Sequence, residues 1–397
     1  MNYLAITGRE HELALTELEA IFGEENVQSV GDSAVLIDSE KAPNQAILGG
    51  SLKIAKVLHE VESSELGAGF KYLQETIPGQ LDYLPEGKLQ FGVSVYGFNP
   101  TPKWILHQML EIKKLIRGAG RSVRIIQNKQ PALLSAQVLY NKLTSELGWE
   151  LLLVKNGSKI ILAQTLSVQD IDEYAARDQA RPARNAKVGM LPPKLAQIML
   201  NLANPDNSSR AVVADIFCGS GVVLQEALLC GFNVFGSDLS PEMIEASMTN
   251  LSWLEQQPFA PSDFPAHELT LSDARTVKLP VNTQAIVSEM YLGEPLHTPP
   301  DPEKLVELLT ENKQLLLETL ENIAAQTSEN TTLCIAVPAW KTKTVRKSML
   351  DNPKTVESIK NLGYTFTKFS HNANRPLIYA RAHQVVGRQM LVIRRSK

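Results

Sequence analysis

The chain is poor in cysteine, in aromatic residues and in long apolar runs. Its three cysteines, Cys218, Cys230 and Cys334, have no paired spacing. That speaks against a disulfide scaffold or a thiolate metal site and fits a reducing compartment. The seven histidines show no ligand spacing either, so no metal is expected. No stretch approaches the eighteen or so apolar residues of a membrane span, and the opening MNYLAITGREHE does not read as a signal peptide. The expected location is therefore the cytoplasm, with no membrane partner. What is present, 44% apolar and 21% charged residues over 397 positions, describes a globular protein of about two to four domains.

A net charge of −4 gives no reason by itself to expect a nucleic acid, but its distribution does. Residues 1–50 hold nine Asp/Glu against two Lys/Arg, whereas residues 341–397 hold thirteen Lys/Arg against two Asp/Glu. The stretch 91–194 is also basic. A protein with one acidic and one basic face can hold a polyanion on one side.

The rest of the chain is organised around VVADIFCGSG at 212–221 and GSDLS at 236–240. A β-branched run, a glycine turn and the helix-like VVLQEALLCG read as the first strand, loop and helix of a doubly wound sheet. Gly219, Ser220 and Gly221 let backbone approach a ligand over the strand end. A second apolar strand ends at Asp238, followed by Leu239, where such folds place a carboxylate on the ribose hydroxyls of a nucleoside. A dinucleotide fingerprint would need a glycine where Leu224 stands. Asp215, at the first strand end, would repel a pyrophosphate but suits an ammonium or a sulfonium. These features favour S-adenosyl-L-methionine over a nicotinamide dinucleotide. Asp273, followed by Ala274, ends a third strand on the same edge and is placed to accept a hydrogen bond from the adenine amine.

The order of elements fills in the architecture. Residues 2–7 alternate as a strand, 12–23 repeat at helical spacing, 27–30 and 34–37 are strand-like and 43–48 helix-like, which suggests a ferredoxin-like unit over 1–66. Residues 67–172 read as an α/β module with a basic helix at 101–120, two strands and an Asn-Gly turn between them. Residues 173–194 form a linker. Within it Arg177, Arg181 and Arg184 recur at three- to four-residue spacing, so on a helix they share one face, and a Gly-Met-Leu-Pro-Pro turn follows at 189–193. Residues 195–397 alternate strands and helices as a Rossmann-type α/β domain.

With these residues assembled, the chain resembles the THUMP-domain tRNA guanosine-N2 methyltransferases. The resemblance rests on YAARDQARPAR at 174–184, GMLPPKLAQIMLNLA at 189–203 and ADIFCGSG at 214–221. It implies a Rossmann-type methyltransferase domain preceded by a ferredoxin-like unit and a THUMP module that engages tRNA. It also implies cofactor roles for Asp215, Cys218, Gly219, Ser220, Gly221, Asp238, Leu239, Asp273 and Ala274, and tRNA as partner. A small activating subunit or a homodimer stays open.

The chain departs from that family after its fourth strand, where the family carries Asp-Pro-Pro-Tyr. A guanine exocyclic amine is a poor nucleophile, because its lone pair is delocalised into the ring. A carboxylate and a carbonyl must accept its hydrogens while an aromatic ring stacks the base, and proton acceptance of this kind is typically worth about 10²–10⁴ in rate. Here the loop reads Ser288-Glu289-Met290-Tyr291-Leu292-Gly293. One alignment places Glu289 at the acid, with Tyr291 stacking from the next position; the other places Ser288 there. Both prolines are missing. Trp340, just past the fifth strand, is a second candidate for stacking a flipped base. The expected activity is methylation of a guanosine N2 amine in tRNA near the D-arm. The rivals are a tRNA-binding protein that has lost catalysis and a methylase with another nucleic-acid target.

Overall fold

A computed structural model describes residues 1–184, 190–205, 211–372, 375–381 and 383–396. Gly189, the first residue of the Gly-Met-Leu-Pro-Pro turn, lies outside the described residues. The chain divides into two compact units, Met1–Asp172 and Glu173–Lys397, each with its own sheet. Among the described residues no helix is long and apolar enough to cross a membrane.

The strands of the first unit are β1 (Asn2–Thr7), β2 (Val27–Val30), β3 (Ala34–Asp38), β4 (Ser51–Val61), β5 (Leu89–Tyr96), β6 (Val123–Ile125), β7 (Gly148–Asn156) and β8 (Lys159–Val168). They form one sheet in the order β2-β3-β1-β4-β8-β7-β5-β6. Antiparallel pairing of β4 with β8 carries this ladder past the boundary expected at residue 66. The helix-like run at 43–48 is a single 3-10 turn, Gln45–Ile47.

A buried ion pair ties the middle of the sheet together. Lys53 on β4 pairs with Glu150 on β7 and donates to the Leu133 carbonyl at 2.8 Å. Glu150 also accepts from Ser94 on β5 (2.5 Å) and from Thr165 on β8 (2.6 Å). With its oxygens satisfied from three neighbouring strands, the carboxylate is tolerated in the core. Any slip of register would orphan it.

The second unit contains β9 (Val212–Asp215), β10 (Asn233–Asp238), β11 (His267–Leu271), β12 (Thr283–Glu289), β13 (Thr332–Lys341), β14 (Arg346–Lys347), β15 (Tyr364–Phe366), β16 (Ile378–Tyr379) and β17 (Val386–Arg395). The main path runs β11-β10-β9-β12-β13-β17-β15, with β14 on β13 and β16 on β17. Neighbours from β11 to β13 are parallel, and β17 runs antiparallel between β13 and β15. The chain steps from β9 outward to β10 and β11, then returns to the far side of β9 with β12. That reversal leaves a crevice outside the carboxyl ends of the strands, where doubly wound sheets bind ligands.

Local sequence sets the helices around this sheet. Helix Pro241–Glu255 begins with Ser240, whose hydroxyl accepts from the Met243 N–H, and helix Pro302–Ala324 begins with Asp301, which accepts from the Lys304 N–H. Helix Pro353–Asn361 repeats the device with Asn352. In each case a short polar cap satisfies an orphan donor, and a proline with preset φ stands where its missing N–H costs nothing.

Candidate active site

The glycine turn after β9 has the backbone its sequence demands. Gly219 and Gly221 sit at φ 49° and 79°, in the left-handed region that side chains disfavour. Helix Pro241–Glu255 fixes the turn from one side: Ser247 Oγ donates to the Gly219 carbonyl (2.7 Å) and Asn250 Nδ2 to the Ser220 carbonyl (2.8 Å). Asp238, at the end of β10, fixes it from the other. Its Oδ2 accepts from the Gly219 N–H (2.9 Å) and its Oδ1 from the Ser240 N–H (3.0 Å).

A cavity of about 840 Å³ opens at the carboxyl ends of β10, β11 and β12. This is within the usual range of roughly 300–1,000 Å³ for small-molecule sites. Asp238, Leu239, Asp273, Ala274, Glu289 and Tyr291 all line it, as do Phe217, Arg275 and Arg388. Leu239 is 72% exposed and gives an apolar surface beside the Asp238 carboxylate. Tyr291 is also exposed, and its hydroxyl donates to Glu294 at 3.3 Å.

Other expected residues stand behind this wall. Asp215 is buried and does not line the cavity, contrary to the expectation that it faces a ligand directly. Its Oδ1 accepts from Ser288 Oγ (2.6 Å) and from the Phe217 N–H (3.3 Å). Burial pushes its carboxyl up to about 7, against the pull of those two bonds, and the charges of Asp238 and Glu289 add to the rise. Ser288 is fully buried, donating to Asp215 and accepting from the Phe217 N–H, so it does not stand at the cavity surface. Cys218 is buried against Ser247, with its thiol pushed far up by burial. Gly219, Ser220 and Gly221 lie beside the cavity rather than in its lining.

Two acids on the rim already have cationic partners. The Asp273 carboxylate is forked by Arg275, with Nε–Oδ1 3.0 Å and Nη2–Oδ2 2.6 Å, and Arg275 also reaches Glu318 at 3.4 Å. These hydrogen bonds hold the Asp273 carboxyl below its usual range. An adenine amine would have to share that carboxylate with Arg275, which the sequence reading did not anticipate. Glu289 is paired with Arg388 Nε, its side chain 19% exposed and that of Arg388 3%. Burial raises the Glu289 carboxyl, while Arg388 counteracts the rise.

The arginines assigned to RNA are divided by the structure. Helix Ile171–Ala175 passes into a π turn at Ala176–Ala180, so the assumed helical spacing does not hold. Arg177 is turned inward, its Nε 3.3 Å from Glu226 and its guanidinium 4.2 Å from the centre of the Tyr174 ring. Arg181 is buried near the Met190 sulfur. Only Arg184 is exposed, donating to the Gln179 carbonyl at 2.8 Å. Trp340 is fully buried and unavailable for stacking, because it lies on β13 in the middle of the sheet.

No family model matches the chain. It is 30% identical over 184 residues to a tRNA (guanine(10)-N2)-dimethyltransferase of Methanothermobacter thermautotrophicus, a stretch that covers 46% of this chain and 48% of that protein. A protein of the same description from Pyrococcus abyssi is 28% identical over 131 residues, covering 32% of this chain and 36% of its own length. Both of these relatives carry the description tRNA (guanine(10)-N2)-dimethyltransferase. The chain thus spans about half or less of the length of the curated relatives it matches. Among solved structures, TrmN from Thermus thermophilus superposes over 100% of both chains, with TM-score 0.50 and 16% identity. That likeness is one of fold, and the sheet order is that of a doubly wound Rossmann-type α/β domain with an antiparallel β17.

Sequence reasoning missed Arg275, Arg388 and Asn250. Arg275 stands two residues from Asp273 and was readable as a partner only once the turn was known. Arg388 and Asn250 reach the site from distant parts of the chain.

Proposed function

We propose that the protein is an S-adenosyl-L-methionine-dependent methyltransferase that acts on the N2 amine of a guanosine in tRNA. The observation that carries this reading is the cavity at the strand ends, with Asp238 and Glu289 both facing it. Its donor set fits the cofactor: a carboxylate for ribose, exposed Leu239 against the base, and a glycine turn with left-handed backbone. Buried Asp215, its carboxyl pushed up to about 7, gives up its proton behind that turn when a cation binds and would disfavour a phosphate. When bound, the cofactor supplies an electrophilic methyl carbon on a sulfonium. Glu289 accepts a hydrogen of the exocyclic amine and turns the nitrogen lone pair toward that carbon, and Tyr291 stacks the base at the cavity mouth. The amine proton passes to Glu289 and then to solvent. Arg184 and the exposed lysines of 341–368 hold phosphates, with residues 67–172 as the RNA-engaging module on a platform formed by 1–66, in the cytoplasm. Glu289→Gln keeps the shape but cannot take the proton. It is expected to lower the rate of labelled methyl transfer to unmodified tRNA by about 10²-fold or more, with cofactor affinity kept. Full activity in that variant removes Glu289 from the mechanism.

The ion pair between Glu289 and Arg388 gives a second reading some weight: an RNA-binding protein whose acid is permanently neutralised. Calorimetric cofactor binding, without methyl transfer to any RNA, would support it.

A further inference from the structure

We propose that Arg388 is the positioning residue for Glu289, replacing the rigidity that two prolines would give the loop after β12. This rests on the methyltransferase reading. Glu289 pairs in register with Ala336 on β13, Ala336 pairs with Met390 on β17, and Arg388 lies two residues before Met390. Side chains alternate across a strand, so Glu289, Ala336, Pro338 and Arg388 share one face. Small Ala336 and the compact ring of Pro338 leave room for the guanidinium to cross β13 and reach Glu289 Oε1. Both partners line the cavity, so the pair is part of its wall.

A glutamate has one more rotatable bond than an aspartate, and in a loop without prolines that freedom must be removed some other way. A guanidinium holding Oε1 does so, and it leaves Oε2 to receive the amine. It also opposes the rise that burial gives the carboxyl. Asp238 on β10 lines the same cavity, and Asp215 on β9 is buried behind it. Arg275 is spoken for by Asp273 and Glu318. Glu294, His297 and His383 ring the same cavity farther along. Among the described residues, Arg388 is the cation in contact with Glu289. Without it Glu289 takes up a proton at higher pH, and a protonated acid cannot accept hydrogen from the amine.

The test compares Arg388→Gln and Arg388→Lys with the unsubstituted protein. The first readout is the titration of Glu289 by infrared difference spectroscopy, its band assigned by loss in Glu289→Gln. The second is the pH profile of kcat for methyl transfer. Arg388→Gln is expected to move both midpoints up together by a pH unit or more and to lower kcat by about 10²-fold, while KM for tRNA changes less than about threefold. Arg388→Lys keeps the charge but not the planar guanidinium. Its midpoints should lie between the other two, and it carries the test alone if the glutamine variant does not fold. Unchanged midpoints in both variants overturn the proposal. So does a rise in KM at constant kcat, which would make Arg388 a phosphate contact. Absence of methyl transfer by the unsubstituted protein overturns the functional reading, and this inference with it, whatever the infrared titration shows.

Discussion

Asp215→Asn offers a direct measure of what the site costs the fold. The native carboxyl is buried, and its proton affinity is raised from 3.8 to about 7, chiefly by burial. In the unfolded chain it ionises near its ordinary value. Between about pH 4 and pH 7 the unfolded state therefore loses a proton that the folded state keeps, and stability falls as pH rises through that window. A rise of roughly three pH units, at about 1.4 kcal/mol each, sets the upper limit of the loss at about 4 kcal/mol. Asparagine keeps the oxygen that accepts from Ser288 and from the Phe217 N–H but never ionises. Urea unfolding at a series of pH values should show the two proteins differing little more at pH 4 than the substitution itself demands. By pH 8 the variant should have gained a few kcal/mol relative to the native protein. The gain should carry a functional loss, because charge behind the glycine turn favours a cationic ligand. Calorimetry at pH 7 should find S-adenosyl-L-methionine bound about tenfold or more weakly by the variant, given that charge pairs near a protein surface are worth a few kcal/mol. It should also find proton release on binding to the native protein and none to the variant. Parallel stability curves from pH 4 to 8 would refute the reasoning, since they would mean Asp215 ionises in the fold as it does in water.

Two further substitutions separate structure from recognition. Arg177→Met removes the cation in contact with buried Glu226, leaving the more distant Arg181, and should cost about 3 kcal/mol; because burial already raises Glu226 to about 7, the cost should be larger above that pH than below it in thermal melts. Arg184→Ala should leave stability within about 0.5 kcal/mol but reduce the salt slope of tRNA binding by about one, and equal behaviour of the two variants in both assays would undo the distinction. Gly221→Ala forces a side chain into φ 79° and brings its Cβ within 2.9 Å of Ser247 Oγ. A loss of about 1–2 kcal/mol is expected in chemical denaturation, with weaker cofactor binding as the turn shifts; an unstrained, fully binding variant would show that the glycine is dispensable.

How far the sequence could be read depended on the range of the interaction. The strand, glycine turn and helix at 212–229 were legible because periodicity and φ preference are local, and Asp238 because its strand ends visibly before a Ser-Pro helix start. The inward turn of Arg177 and Arg181 was not legible. Spacing tells which residues share a helix face, but not which way that face points, and a π turn spoils even the spacing. Trp340 shows the same limit: an aromatic at a strand end looks like a platform until the next strand covers it. The eight-stranded continuity of the first unit depends on β4 meeting β8, a pairing separated by about a hundred residues. Asp215 was placed on the right edge of the sheet, but its withdrawal beneath the cavity floor follows from Ser288, whose hydroxyl draws it down.

The union of Glu289 with Arg388 also bears on how such a protein can change. The two positions are 99 residues apart in sequence, yet neither can be altered as though the other were absent. Grafting an Asp-Pro-Pro-Tyr turn onto β12 alone would shorten the acid and draw it away from the Arg388 guanidinium. Restoring β17 alone would free the glutamate to wander. A change at either position therefore has to be matched at the other if the contact is to survive.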